Sequence, residues 1–122
     1  MTKLSDLAKC QKILGYIFKD ISYLEHALTH SSVKTEENPS NERLEFLGDA
    51  ILGSETSLFL YKKFPSKTEG DLTRIKSVVV SRKVIGRICH DMGMNEFIRV
   101  GKGIHRDFMP ISLYANIFEA LI

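Results

Sequence analysis

Apolar residues recur at helical spacing through most of the 122-residue chain, and polar stretches divide them into six segments. Leu4, Leu7, Ala8, Ile13 and Leu14 outline a first helix that Gly15 closes. After a short apolar link, Asp20 can cap a second helix over residues 21–31, with Leu24, Ala27 and Leu28 turned inward. Residues 33–40 are polar, contain Pro39 and read as a loop. A third helix opens near Ser40 or Asn41 and runs to Phe64, where Pro65 stops it. Gly48 and Gly53 each weaken it by about 1 kcal/mol relative to alanine, which points to close approach by another helix, a metal-bound phosphate or a partner chain. Ser66 and Glu69 have the spacing of a capping box for a fourth helix, whose apolar side is Leu72, Ile75, Val78 and Val79. Ser81 caps a fifth, residues 82–92, which Gly93 ends. Residues 94–110 read mostly as loop, and a last helix begins near Pro110 or Ser112 with Leu113, Ile117, Ala120 and Leu121 inward. Val78, Val79 and Val80 are β-prone but too short a run to make a strand. The predicted class is all-α, in one domain spanning residues 1–122.

The third helix carries an unusual pattern. Glu42, Glu45 and Asp49 are spaced by three and seven residues, which brings their carboxylates within roughly 60° of one another on the helix. Leu44, Leu47 and Ile51 form an oily side opposite them. Such an acidic side is ordinarily only solvated. Converging carboxylates repel, however, unless a cation or protons sit among them. The last helix offers a second set of oxygens, because Asn116 and Glu119 are three apart and share a face. Glu45, Asp49, Asn116 and Glu119 could together hold a hard cation such as Mg²⁺, with Mn²⁺ as a substitute. Such a site suits phosphoryl transfer.

Composition narrows the setting without deciding it. Hydrophobic residues make up 43% and charged residues 26%, as in ordinary globular chains. No apolar run reaches the roughly 20 residues of a membrane span, and the N-terminus lacks the apolar stretch of a signal peptide. Cys10 and Cys89 are far apart, and neither belongs to a CxxC pair, so neither a disulfide framework nor a zinc site is expected and a cytoplasmic location is favoured. The net charge of +2 is too small to identify a nucleic-acid partner.

The run Asn41-Glu42-Arg43-Leu44-Glu45-Phe46-Leu47-Gly48-Asp49 resembles, without a gap, the signature motif of the ribonuclease III endonuclease domain. Three further pieces agree in order: Ala27-Leu28-Thr29-His30-Ser31-Ser32, Glu69-Gly70-Asp71-Leu72-Thr73 and Phe118-Glu119-Ala120-Leu121-Ile122. The resemblance implies a helical homodimer that cleaves double-stranded RNA with Mg²⁺, one strand per subunit, leaving short 3′ overhangs. It implies that Glu45, Asp49, Asn116 and Glu119 surround the metal, that Glu42 and Glu69 are further catalytic acids, and that Phe46 packs into the neighbouring subunit. Phe46 lies about 40° from Glu42 on the helix, away from Leu44 and Leu47, as such a contact requires. Lys62, Lys63, Lys67, Arg74 and Lys76 are candidates to track RNA phosphates, since A-form duplexes are read largely through backbone and 2′-hydroxyls. His30 is expected to be a structural hydrogen-bonder, and Arg43 to form a structural ion pair beside the acids.

Two departures from the family pattern stand out. Asn116 replaces the usual aspartate and removes one negative charge from the site. The late helix stops soon after Glu119, and no double-stranded-RNA-binding domain follows, so the domain is expected to be truncated. Together these motivate an alternative function: a catalytically weakened or inactive dimeric module that binds double-stranded RNA or acts as a scaffold.

Overall fold

The computed structural model describes residues 4–122. The expectation that no signal peptide begins the chain rests partly on residues 1–3, which lie outside them. In chain order the helices are α1 (Leu4–Leu14), α2 (Ile21–Ala27), α3 (Glu42–Lys63), α4 (Glu69–Val79), α5 (Arg82–Asp91) and α6 (Ile111–Leu121). Short 3₁₀ turns occur at Ser31–Val33, Met94–Phe97 and Arg106–Phe108. No strand occurs among the described residues, and the class is all-α, as the periodicity predicts.

Local chemistry explains most of the boundaries. The Asp20 carboxylate accepts from the Ser22 amide and starts α2. The Ser81 hydroxyl accepts from the Val84 amide and starts α5. Gly15 and Gly93 follow α1 and α5 at φ 70° and 80°, the left-handed conformation that glycine adopts without a Cβ penalty. Pro65 lies just past the end of α3.

The centre of the fold is α6. Leu113, Tyr114, Ala115, Ile117 and Ala120 are all buried, and the helix packs against both α3 and α5. Leu7 and Cys10 of α1, Leu24 of α2, and Cys89 of α5 join the same core. Two glycines permit the close packing. A Cβ at Gly86 would stand 2.5 Å from the Ile111 carbonyl oxygen, and one at Gly48 would stand 1.6 Å from that of Glu119. Backbone meets backbone at both places, so neither position admits a side chain. Of the partners considered for the glycines of α3, Gly48 meets a helix. Gly53 does not need its bareness, because a Cβ there would make only ordinary contact with Lys76 at 3.7 Å.

Several boundaries differ from expectation. The second helix ends at Ala27 rather than near residue 31. Beyond it the backbone extends into a parallel bridge with residue 99, in which the His30 amide donates to the Arg99 carbonyl and the Arg99 amide to the Leu28 carbonyl. The Asn41 amide in turn donates to the Thr29 carbonyl, which ties the start of α3 to this bridge. The capping box of α4 is Thr68 with Asp71, not Ser66 with Glu69. Val78 and Val79 are exposed, leaving Leu72 and Ile75 as the half-buried side of α4. Residues 94–110 are more than loop: Met94, Phe97, Ile98 and Met109 belong to the core.

The largest difference concerns α3. Only Gly48 and Leu60 are buried in its 22 residues. It meets α6 at Gly48, and of its three acids Glu45 is half-buried while Glu42 and Asp49 are exposed. Leu47 and Ile51, on the oily side, are 54% and 40% exposed.

Candidate metal centre

Gly48 sets the distance between the two helices that carry the expected ligands. With no side chain there, α3 approaches α6 at the level of Glu119. Glu45 and Asp49 lie one turn apart on α3, flanking Gly48, and Asn116 and Glu119 lie one turn apart on α6. Glu119 is 5% exposed, Glu45 and Asn116 are half-buried, and Asp49 is open to solvent. The cluster is therefore a shelf at the rim of the α3–α6 seam, with its deepest oxygens on α6.

The carboxylates interact strongly. Burial pushes the Glu119 carboxyl up from the usual 4.5 to about 7, and a hydrogen bond to Asp49 and the Asp49 charge push the same way. Burial also raises Glu45, with the Glu42 and Asp49 charges adding to it, while Arg82 opposes the rise at both Glu45 and Glu119. These shifts come first from burial and then from the acids' mutual repulsion, which nearby positive charge relieves.

Part of that charge comes from a residue that the sequence pattern does not reveal. Arg82, at the first position of α5, reaches across to α6. One guanidinium nitrogen donates to Glu119 Oε1 at 3.1 Å. The other donates to the Ser112 carbonyl at 2.8 Å and also to Asn116 Oδ1. The arginine that pairs with the acids is thus Arg82 rather than Arg43. No periodicity links α5 to α6, so only the fold brings this residue to the site.

The donor set suits Mg²⁺. It consists of three carboxylates and one amide carbonyl, all hard oxygens, and Arg82 shows that a cation can seat on two of them. Among the described residues no three carboxylate, imidazole or thiol groups stand close enough together to hold a metal ion as they are placed. Binding there would need the acids to draw in around the ion, with water completing its shell.

The remaining candidates lie apart from this shelf or at its edge. Glu42, in the first turn of α3, accepts a 2.8 Å hydrogen bond from the Ser40 hydroxyl, and its charge is felt at Glu45. Glu69 opens α4 and lines a groove of about 720 Å³ between α4 and the end of α3, together with Tyr61, Lys62, Lys67 and Lys76. Lys63 is exposed outside that lining, and Arg74 pairs with Asp71 at 3.5 Å. His30 has the structural role expected of it, its ring nitrogen accepting from the Ser32 amide. Phe46 is 82% exposed. On another side of α3, Leu44, Leu47 and Ile51 line an open apolar hollow of about 670 Å³ with Tyr16, Tyr23 and Phe118.

Residues 20–122 match the model of a family described as ribonuclease-III-like. The chain belongs to the ribonuclease III family. The ribonuclease 3 of Rhodopirellula baltica is 44% identical over 120 residues, which cover 98% of this chain and 45% of that protein. The ribonuclease 3 of Syntrophotalea carbinolica is 41% identical over 128 residues, covering all of this chain and 55% of the relative. The chain thus spans about half the length of these ribonuclease III relatives. Among solved structures, the nuclease domain of ribonuclease III from Campylobacter jejuni superposes with a TM-score of 0.87 at 34% identity, over 94% of this chain and 80% of that one. The helical architecture is therefore that of a ribonuclease III nuclease domain.

Proposed function

We propose that this chain is the endonuclease unit of a Mg²⁺-dependent enzyme that cleaves double-stranded RNA, working as a homodimer that cuts one strand per subunit and leaves short 3′ overhangs. The observation that carries the reading is the meeting of Glu45 and Asp49 on α3 with Asn116 and Glu119 on α6 at a spacing set by Gly48. These four residues would hold the metal, which when bound supplies positive charge to the phosphodiester and lowers the pKa of its water. Glu119, the least exposed of the four, anchors the site from α6. Glu45 and Asp49 supply two charges from α3, and Asn116 supplies a neutral oxygen. Glu42 is close enough to bias Glu45 through its charge, and Glu69 sits where it would face RNA laid along the lysine groove.

The RNA and dimer surfaces follow from the same description. Lys62, Lys67 and Lys76 share one groove, and Lys63 and Arg74 extend the basic surface beside it. Phe46 is exposed, and Leu47 and Ile51 are exposed residues lining the apolar hollow; exposed apolar surface of this kind marks a protein interface. A second copy of the chain is the proposed occupant.

The test is cleavage of a long RNA duplex in Mg²⁺ by the wild type and by Glu119→Gln. The expected result is processing by the wild type and loss of at least about 100-fold in rate for the variant, in the range seen when a group that stabilises transition-state charge is removed. Equal rates would rule out the site.

A second reading, a dimeric scaffold that binds RNA without efficient cleavage, is favoured by the neutral Asn116 and by Arg82 lying on two ligand oxygens. Under that reading the wild type is inert and Asn116→Asp gains Mg²⁺-dependent cleavage. Cleavage by the wild type eliminates it.

A further inference from the structure

Arg82 is bonded to the oxygens that the metal would need. Its guanidinium holds Glu119 Oε1, Asn116 Oδ1 and the Ser112 carbonyl, all on α6, from a helix that supplies none of the expected ligands. Asn116 has only one side-chain oxygen, so Arg82 and a metal there would have to share it. A divalent ion between Glu119 and Asn116 would also stand within a few ångströms of the guanidinium, where like charges repel strongly. The Arg82 side chain is 48% exposed, whereas that of Glu119 is 6% exposed. Arg82 can therefore move into water without opening the core, and Glu119 cannot.

We propose that Arg82 is a tethered competitor of the metal: its guanidinium and the divalent ion occupy the Asn116 and Glu119 oxygens alternately, so loading requires Arg82 to swing out to solvent. This rests on the metal reading above and adds a control to it. With one carboxylate replaced by Asn116, the site has little charge to spare, and a built-in cation raises the metal concentration needed to fill it. The opposite role would be that of a positioning residue that stays bonded to the ligands. Removing such a partner typically lowers metal affinity about 10- to 100-fold. The two roles thus predict shifts of opposite sign.

The experiment measures Mn²⁺ binding to the full chain, by the electron paramagnetic resonance of free Mn²⁺, for the wild type, R82Q and R82K. Thermal melts in EDTA establish that each variant is folded. Competition predicts that R82Q binds Mn²⁺ about tenfold more tightly, the effect of removing a half-screened neighbouring charge. R82K, which keeps the charge but loses the two-nitrogen fork, should fall between R82Q and the wild type. In ¹⁵N-arginine spectra, the Arg82 Nε–H signal should shift and exchange faster with water when Mg²⁺ is added to the wild type. Unchanged or weaker Mn²⁺ binding by R82Q, or an Arg82 signal indifferent to Mg²⁺, overturns the competition while leaving the metal site standing. No Mn²⁺ binding by any of the three folded proteins overturns the metal site itself, and the competition with it.

Discussion

Replacing Glu119 by glutamine should stabilise the protein while disabling it. In the fold this carboxyl is pushed up from 4.5 to about 7, chiefly by burial and then by Asp49. A folded state that holds its proton more tightly than the unfolded chain is favoured at low pH. The Glu119 contribution is fully present below about pH 4.5 and is lost as pH rises through about 7. A shift of that size corresponds to roughly 3 kcal/mol between the two limits. Glutamine imitates the protonated acid, since its amide can donate to Asp49 and its carbonyl can still accept from Arg82. The charge attraction of Arg82 is already contained in that figure, because Arg82 opposes the rise and the protonated acid lacks the attraction as glutamine does. Above pH 7.5 in EDTA the variant should therefore be more stable by roughly 3 kcal/mol. Urea melts at half-unit steps from pH 5 to pH 8 are the assay, provided the transitions are two-state. The wild type should weaken mainly between pH 5 and pH 7, and Glu119→Gln should keep only the smaller fall that the raised Glu45 contributes. A variant that followed the wild-type slope would refute the reasoning, because the falling stability would then belong to other groups.

Three other substitutions probe different parts of the molecule. Gly48→Ala should lower stability by about 3 kcal/mol, at the upper end for an overpacked core, because the new methyl meets Glu119 backbone rather than a flexible side chain; a melt within about 0.5 kcal/mol of wild type would contradict the close approach of α3 and α6. Phe46→Ser should convert a dimer to monomers in sedimentation equilibrium, with chain stability at low concentration changed by less than about 0.5 kcal/mol, and an unaltered dimer would remove Phe46 from the interface. Replacing Lys67 and Lys76 together by glutamine should reduce the salt dependence of duplex RNA binding by about one unit of log–log slope for each phosphate that is no longer neutralised, whereas an unchanged slope would place the RNA elsewhere.

The parts of this fold legible in the sequence are those governed by local rules. Asp20, Ser81, Gly15 and Gly93 mark helix ends through bonds to their own neighbours, and the structure uses each of them in that way. The cap of α4 falls on Thr68 with Asp71, two residues beyond the predicted Ser66 and Glu69, and the shared three-residue spacing gives no local reason to choose between them. The Lys67 amide bonds back to Phe64, so the chain is still turning when it passes Ser66. The end of α2 was hidden because Thr29, His30 and Arg99 settle it by long-range pairing. The four proposed ligands could be read from two helical faces and the family motif. Arg82 could not, since an arginine at a helix start is commonplace and its partners lie 30 to 37 residues away.

The contact between Gly48 and Glu119 also bears on how the molecule breathes. Two of the proposed ligands sit on each side of a seam where backbone touches backbone, with no side chain to act as a cushion. Helices joined in this way cannot drift apart by a small amount; they are either docked or released. Local opening of the C-terminal end of α6 and dispersal of the acids on α3 should thus be a single event, seen in hydrogen exchange as one shared opening free energy for the amides around Gly48 and those around Glu119. Such a site keeps its geometry fixed until the moment it comes apart, and what governs its working lifetime is the frequency of that opening rather than the looseness of any one ligand.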